Sequence, residues 1–468
     1  MPVEMRGPTA GPSVAEILSS HAGGTGSPSR TAARVADAIA AQGDDGTWLS
    51  TVPREELLAA AAEIETRTGA RTLPLYGVPF GVKDSIDVAG VPTTLSCPDY
   101  AYVPDRTAPA VQRLLDAGAL YVGKTNLDQF ATGLNGTRTP YTVPRSVYGD
   151  EMICGGSSSG SARAVALGQV PFAVATDTAG SGRVPAALNG VVGFKPSRGL
   201  ISTVGLVPAC RSLDCLSVMA GCVDDVDRVI AVMAARDDDD PWSRDPGPRY
   251  AGAEIRVGLP GADELEFFGD TAMADAHMAF RDQLSRRHHV VDVPLAPFLA
   301  AGALLYQGPW VAERLVEFGE FLATAAESIH PVVRDILRGG QAYTAVDAFS
   351  ALQRLQELKA TAGRVWERID VLVVPTVGTT FTVAQVLDRP IDTNTMLGHY
   401  THFGNLLDLL GVAVPLGVTA DGRPHSAMLL GGTLTDDTVL QFAAQILDEP
   451  RAAVTAHARA VVTTEEHV

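Results

Sequence analysis

Aromatic residues make up only 6% of the 468-residue chain and charged residues only 19%, against 46% hydrophobic. A core with so few rings must rest on Ala, Val and Leu, which suits close helix–sheet packing better than a wide aromatic-lined cavity. So low a charged fraction excludes a disordered chain, because there is ample apolar surface to bury. Basic residues are scarce as well: 36 Lys and Arg against 54 Asp and Glu leave a net charge of −18. Phosphate backbones and anionic membrane surfaces are bound by clustered cations, so neither nucleic acid nor a membrane is an expected partner. The five cysteines, Cys97, Cys154, Cys210, Cys215 and Cys222, are an odd number with no C-x-x-C pair. Neither a disulfide framework nor a zinc site is expected, and a reducing cytoplasm fits. Long apolar runs are missing too. The stretch 406–418 is broken by Asp408 and Pro415 and falls short of the ~20 residues a membrane span needs. The N-terminus lacks the basic start and apolar stretch of a signal peptide.

What is present is alternation. Helical periodicity over 30–42, 54–68, 108–117, 161–167 and 271–286 alternates with short apolar runs at 120–123, 172–176, 254–260, 289–295, 370–376, 411–418 and 427–431. This pattern predicts an α/β fold, a large mixed β-sheet sandwiched between helical layers. Residues 1–50 read as an N-terminal helical segment, with 1–30 frayed because they are rich in Gly, Pro, Ser and Thr. Residues 51–468 read as one catalytic domain, with the acidic, Pro-rich stretch 237–250 as a surface linker.

The densest small-polar segment, Gly155-Gly156-Ser157-Ser158-Ser159-Gly160-Ser161, leads into a helix. It could cradle a phosphate at the helix N-terminus, although no Lys follows as in a Walker loop. It also fits the G-x-S-x-G nucleophile elbow, but the preceding 147–154 is a poor strand. An ordinary Ser/Gly loop capping a helix is the third reading. The surroundings separate these. In order along the chain stand GVPFGVKD (77–84), KTNLDQFATG (124–133), GGSSSGS (155–161) and TDTAGSGRVPAALNGVVGFKPSRG (176–199). Together they resemble the amidase signature family over most of residues 73–222.

Amide hydrolysis needs a nucleophile stronger than a free serine hydroxyl and a proton for the departing nitrogen. The resemblance implies Ser181 as nucleophile, Lys83 as base and Ser157 as proton relay between them, with a cis peptide at Gly156–Ser157. It further implies an oxyanion hole from the backbone N–H groups of Thr178, Ala179, Gly180 and Ser181. No metal and no cofactor is required. Lys83 must be neutral to accept a proton, and its apolar flank Val78, Phe80 and Val82 is compatible with the burial that would lower its pKa. Asp177 and Arg183 read as structural partners holding the turn, and Ser85 stands where the family commonly has Asn.

Two further segments, STVGLVPACRSLDCLSV (202–218) and LYQGPWVAERL (305–315), resemble allophanate hydrolases. Gly308-Pro309 should open a helix, with Tyr306 in the turn leading in and Arg314 about five residues inside it. By the resemblance Arg314 forms a forked pair with a substrate carboxylate and Tyr306 donates a hydrogen bond. The backbone of Ala131 to Gly133 lines the same pocket, and Cys210 and Cys215 read as buried small hydrophobes. The charge balance points the same way, since a chain of charge −18 that binds a small anion needs a local cation. The expected reaction is hydrolysis of allophanate to ammonia and carbon dioxide through an acyl-enzyme. Many allophanate hydrolases carry a further C-terminal domain, and none is expected within these 468 residues. That leaves open a partner protein, spontaneous decay of the carbamate product, or another small carboxylated amide in a biosynthetic pathway. A glutamine-dependent amidotransferase subunit is the alternative of another class. The expected partner is a small anionic amide, and a homodimer is open to it.

Overall fold

Short β-branched runs bounded by Gly and Pro become eleven strands in the computed structural model, which describes residues 11–449 and 451. They are β1 (Trp48–Thr51), β2 (Pro79–Lys83), β3 (Leu120–Thr125), β4 (Phe172–Asp177), β5 (Val192–Lys195) and β6 (Cys215–Ala220), followed by β7 (Val257–Leu259), β8 (Val290–Asp292), β9 (Val371–Pro375), β10 (Leu410–Val418) and β11 (Pro424–Gly431). All belong to one sheet in the order β1-β3-β2-β4-β6-β5-β10-β11-β9-β7-β8. The sheet is mixed, as the alternation predicts. β2 runs parallel to β3 and β4, and β7 to β8 and β9, while the pairs β4–β6, β6–β5, β5–β10, β10–β11 and β11–β9 are antiparallel. Every residue of β2, β4, β6, β9 and β11 is buried, which is the consequence of apolar packing on both faces.

The acidic stretch 237–250 does not divide the sheet. β6 precedes it and β7 follows, and the two halves of the chain meet where Gly411, Val412 and Ala413 of β10 pair with Lys195, Phe194 and Gly193 of β5. The stretch is fastened to the body by its acids: Asp240 accepts the backbone N–H and hydroxyl of Thr203, and Asp237 accepts the Ser202 hydroxyl.

The expectation of a frayed 1–30 is corrected over its described part. A helix, Val14–Ala22, starts at Ser13, whose side chain and that of Glu16 cap each other's backbone N–H. Val14 is fully buried, and its N–H donates to Asp225 Oδ1 at 3.0 Å. A second helix, Pro28–Gln42, begins with Pro in its first turn. The Gly/Ser/Pro composition that suggests fraying is the composition of two successive helix caps. Residues 1–10 lie outside the described residues. No helix among the described residues is long and apolar enough to cross a membrane.

One buried histidine makes a stability prediction. His277, on the helix Thr271–Arg287, is fully buried with neither ring nitrogen hydrogen-bonded, and it faces His425, Arg281 and two phenylalanines. Burial holds its pKa well below the ordinary value. Below pH ~6.5 the unfolded chain therefore binds a proton that the folded chain does not, costing about 1.4 kcal/mol per pH unit. Buried carboxylates such as Asp225, pushed up to about 7 by burial, act in the opposite sense, so the test is a difference. The stability of wild type relative to His277→Phe should fall by about 1.4 kcal/mol per pH unit between pH 6.5 and 4.5. Urea unfolding at several pH values measures it, and a constant gap would refute the argument.

Candidate active site

Lys83 ends β2, one residue past its last pairing with the parallel neighbour β4, and Thr176 lies on β4 two residues past that pairing. The sheet therefore delivers both to the same edge. The Lys83 Nζ lies 2.7 Å from Thr176 Oγ1 and 2.8 Å from Ser157 Oγ. Lys83 and Ser157 are 0% exposed. Burial lowers the Lys83 pKa to about 7, against the opposing pull of Asp128, Asp214 and Asp177. A buried amine near half-protonation at neutral pH, held on a serine hydroxyl, has the chemistry a proton acceptor needs.

Ser157 is reached through the Gly-rich loop. The Gly156–Ser157 peptide is cis. A side chain on Gly156 would strike Asp128 Oδ2 at 2.1 Å and the Gly136 backbone at 2.7 Å, so the loop can close onto Asp128 only with glycine there. The following helix runs Ser159–Ala166, starting two residues before the expected 161 because Gly160 lets its backbone lie against Thr47 and Asn126. The Ser158 hydroxyl donates to the Thr176 carbonyl at 3.2 Å.

Ser181 sits in the tight turn between β4 and the short helix Val184–Leu188. The turn is built by an ion pair at its base. Asp177 accepts from Arg183 Nε at 2.8 Å and Nη2 at 2.9 Å, and from the backbone N–H groups of Gly180 at 2.8 Å and Gly182 at 3.1 Å. Both charged side chains are 0% exposed, and the Arg183 guanidinium holds the Asp177 pKa low against its burial. Gly180 has φ +127°, and any side chain there would meet Thr401 Oγ1 at 2.3 Å. The N–H of Gly180 is thus engaged by Asp177, whereas those of Thr178, Ala179 and Ser181 donate to no described group. The Ser181 hydroxyl has no hydrogen-bond partner among the described residues either, and Ser181 is 2% exposed.

Arg314 lies on the helix Trp310–Thr324, fifth residue in, with Pro309 just before its start. Tyr306 closes the preceding helix, Ala296–Tyr306, rather than lying in a free turn. Arg314 is 1% exposed, yet no carboxylate of the described residues forms an ion pair with it. Its Nη1 donates to Thr132 Oγ1 at 2.9 Å, its Nη2 is 3.5 Å from the Tyr306 hydroxyl, and its guanidinium carbon is 5.9 Å from the Tyr306 ring centre. Thr132 belongs to the segment 128–133, where Phe130 and Ala131 both have left-handed backbone (φ 54° and 50°). Stacking of Phe130 on Phe318 at 4.4 Å, from the Arg314 helix, stabilises that conformation. Gly133 follows, and a side chain there would meet Asp128 Oδ2 at 2.7 Å.

Sequence reasoning misses the parts that join these pieces. Thr176, the second partner of Lys83, opens the TDTAGSGR motif with no role of its own visible in the chain. Asp214 accepts the Thr178 hydroxyl at 2.5 Å and the N–H groups of Ala209 and Cys210 at 2.9 and 3.1 Å. Ser212, two residues earlier, donates backbone and hydroxyl to Glu313 at 2.7 and 2.6 Å, beside Arg314. The loop 209–214 therefore fastens the Arg314 helix to the turn that carries Ser181. Asn405, from the far end of the chain, donates to the Asp177 and Leu213 carbonyls. Cys210 and Cys215 are buried, as expected of small hydrophobes. A cleft of about 720 Å³ opens beside the site, with Tyr306, Arg138, Asn394 and Tyr343 in its walls.

Comparison with known proteins places the chain as a whole. The chain is 42% identical over 407 residues to the urea amidolyase of Saccharomyces cerevisiae, covering 85% of this chain and 22% of that protein. The chain thus spans about a fifth of the length of that relative. It is 31% identical to a glutamyl-tRNA(Gln) amidotransferase subunit of Symbiobacterium thermophilum, over 84% of this chain and 87% of that one. Among solved structures, Kluyveromyces lactis allophanate hydrolase superimposes with a TM-score of 0.88 at 38% identity, covering 94% of this chain and 73% of that chain. The profile of the Amidase family matches residues 32–440, and the chain belongs to that family.

Proposed function

We propose that the protein hydrolyses a small carboxylated amide, allophanate foremost, through Ser181, Ser157 and Lys83. Neutral Lys83 accepts the Ser157 proton while Ser157 accepts that of Ser181, and Ser181 Oγ attacks the amide carbonyl carbon. The N–H groups of Thr178, Ala179 and Ser181 stabilise the oxyanion, while the Gly180 N–H is held by Asp177 and shapes the turn. The proton returns by the same relay to the leaving nitrogen as the C–N bond breaks, releasing ammonia. Water then attacks the acyl-enzyme and releases an N-carboxylated carbamate, which loses one carbon dioxide to leave carbamate. The carbamate decays to a second carbon dioxide and a second ammonia. Likeness to urea amidolyase and allophanate hydrolase supports this substrate.

The observation that carries the substrate class is Arg314, a guanidinium 1% exposed with no paired carboxylate. Burying an unpaired cation costs several kcal/mol, a cost that an anionic ligand offsets. Arg314→Ala should cost roughly 2–5 kcal/mol in kcat/KM for an anionic amide and much less for a neutral one. Tyr306→Phe removes one hydrogen bond and should cost about 1–2 kcal/mol. Ammonia release from allophanate, malonamate, biuret and glutamine tests the reading. Equal loss on anionic and neutral amides in Arg314→Ala would make Arg314 a structural helix residue. Preferred turnover of glutamine would move the protein to the amidotransferase class, the class of the Symbiobacterium thermophilum relative.

A further inference from the structure

Arg138 is the second large cation sealed into the same region, 1% exposed. Its Nη1 donates to the Thr132 carbonyl at 2.8 Å and its Nη2 to the Pro390 carbonyl at 2.9 Å, and its Nε is buried without a partner. No carboxylate of the described residues forms an ion pair with it. Asp128, the acid that acts on it, accepts the backbone N–H groups of Arg138 and Gly136 instead of the guanidinium. Two guanidiniums thus hold one residue between them, Arg314 on the Thr132 hydroxyl and Arg138 on the Thr132 carbonyl. The Arg138 stem runs beside Gly133, where a side chain would stand 3.1 Å from its Cδ. Arg138 also lines the cleft with Tyr306.

Like charges repel, and neither cation has an ion-pair partner among the described residues: Asp214 and Glu313 act on Arg314, and Asp128 on Arg138, without pairing with either guanidinium. The arrangement is costly when the pocket is empty and balanced when an anion enters. A clamp between two carbonyls would have needed only a neutral donor. We infer that Arg138 is a second specificity-determining cation, which with Arg314 selects amides bearing a carboxylate over their neutral isosteres. The inference rests on the reading that Arg314 faces the substrate carboxylate, and extends it from one cation to two.

The test uses binding to the inert Ser181→Ala protein, with malonamate as the anionic probe and malonamide as its neutral isostere, measured by calorimetry. Arg138→Met in that background should weaken malonamate at least about tenfold and leave malonamide within about threefold. Arg314→Ala alone should keep a residual preference for malonamate, which the double variant Arg138→Met/Arg314→Ala abolishes. Equal weakening of both probes by Arg138→Met, or an unchanged preference, would overturn the inference and leave Arg138 a clamp between Thr132 and Pro390. Should Arg138→Met fail to fold, the Arg314→Ala protein decides alone: a preference of unity overturns the inference, and a residual preference that shrinks with added salt supports it. A parent protein with no preference between the probes would instead defeat the carboxylate reading itself.

Discussion

Ser181→Ala should abolish amide turnover while leaving the unfolding midpoint nearly unchanged. The side chain lost is small, and its hydroxyl has no described partner to strand. Its neighbours hold the turn without it, through the Asp177–Arg183 pair and the Asn405 bond to the Asp177 carbonyl. The chemical loss is of another order. Removing an activated serine nucleophile costs on the order of 10⁵–10⁶ in kcat, with what remains coming from the oxyanion donors and binding. A fluorophosphonate probe followed by peptide mass spectrometry should place the adduct on Ser181 in the wild type and nowhere in the variant. An adduct on Ser158 would instead favour the nucleophile-elbow reading of Gly156–Gly160. That outcome runs against the Ser158 hydroxyl's bond to the Thr176 carbonyl.

Lys83 carries the second large effect, and it has a pH signature. Its pKa is lowered to about 7 by burial, and only the neutral amine can accept the Ser157 proton. The active fraction is therefore small at pH 5, half at pH near 7 and nearly full above pH 8. The acid limb of kcat/KM should follow a single ionisation with its midpoint near 7. Lys83→Ala should lose roughly 10²–10⁴-fold, the usual contribution of a positioned base. Lys83→Arg should not rescue it, because a guanidinium stays protonated throughout this range and cannot serve as a base. An Arg variant of near-normal activity, or an acid limb that persists unchanged in Lys83→Ala, would remove Lys83 from the role.

Asp214 shows where local reading ends. Its place in SLD is visible in the chain, but its bond to the Thr178 hydroxyl depends on β4 and β6 lying antiparallel as neighbours. Burial pushes its pKa up to about 6, which no composition argument could foresee. Arg138 escapes the sequence for the same reason, since an arginine in a Thr/Pro-rich loop reads as a solvated charge until the loop is seen to be buried. The two N-terminal helices go the other way. Their caps, Ser13 with Glu16 and Ser27 before Pro28, are legible in the chain, yet the composition around them reads as fraying.

By itself the sequence determined the local chemistry. Alternating apolar runs specified a mixed sheet between helices, whereas only the packed structure shows that the turns at Gly156 and Gly180 tolerate no side chain. The motif pieces placed Lys83, Ser157 and Ser181 in the chain, because turn geometry and strand ends depend on neighbours a few residues away. The tertiary structure alone decided what those pieces face. Lys83 meets Thr176 across 93 positions, Arg314 meets Thr132 across 182, and Asn405 reaches the Asp177 carbonyl across 228. Such contacts follow from strand order and from which side chains are sealed from water. That burial is what turns Lys83 from an ordinary surface cation into an amine with a pKa of about 7.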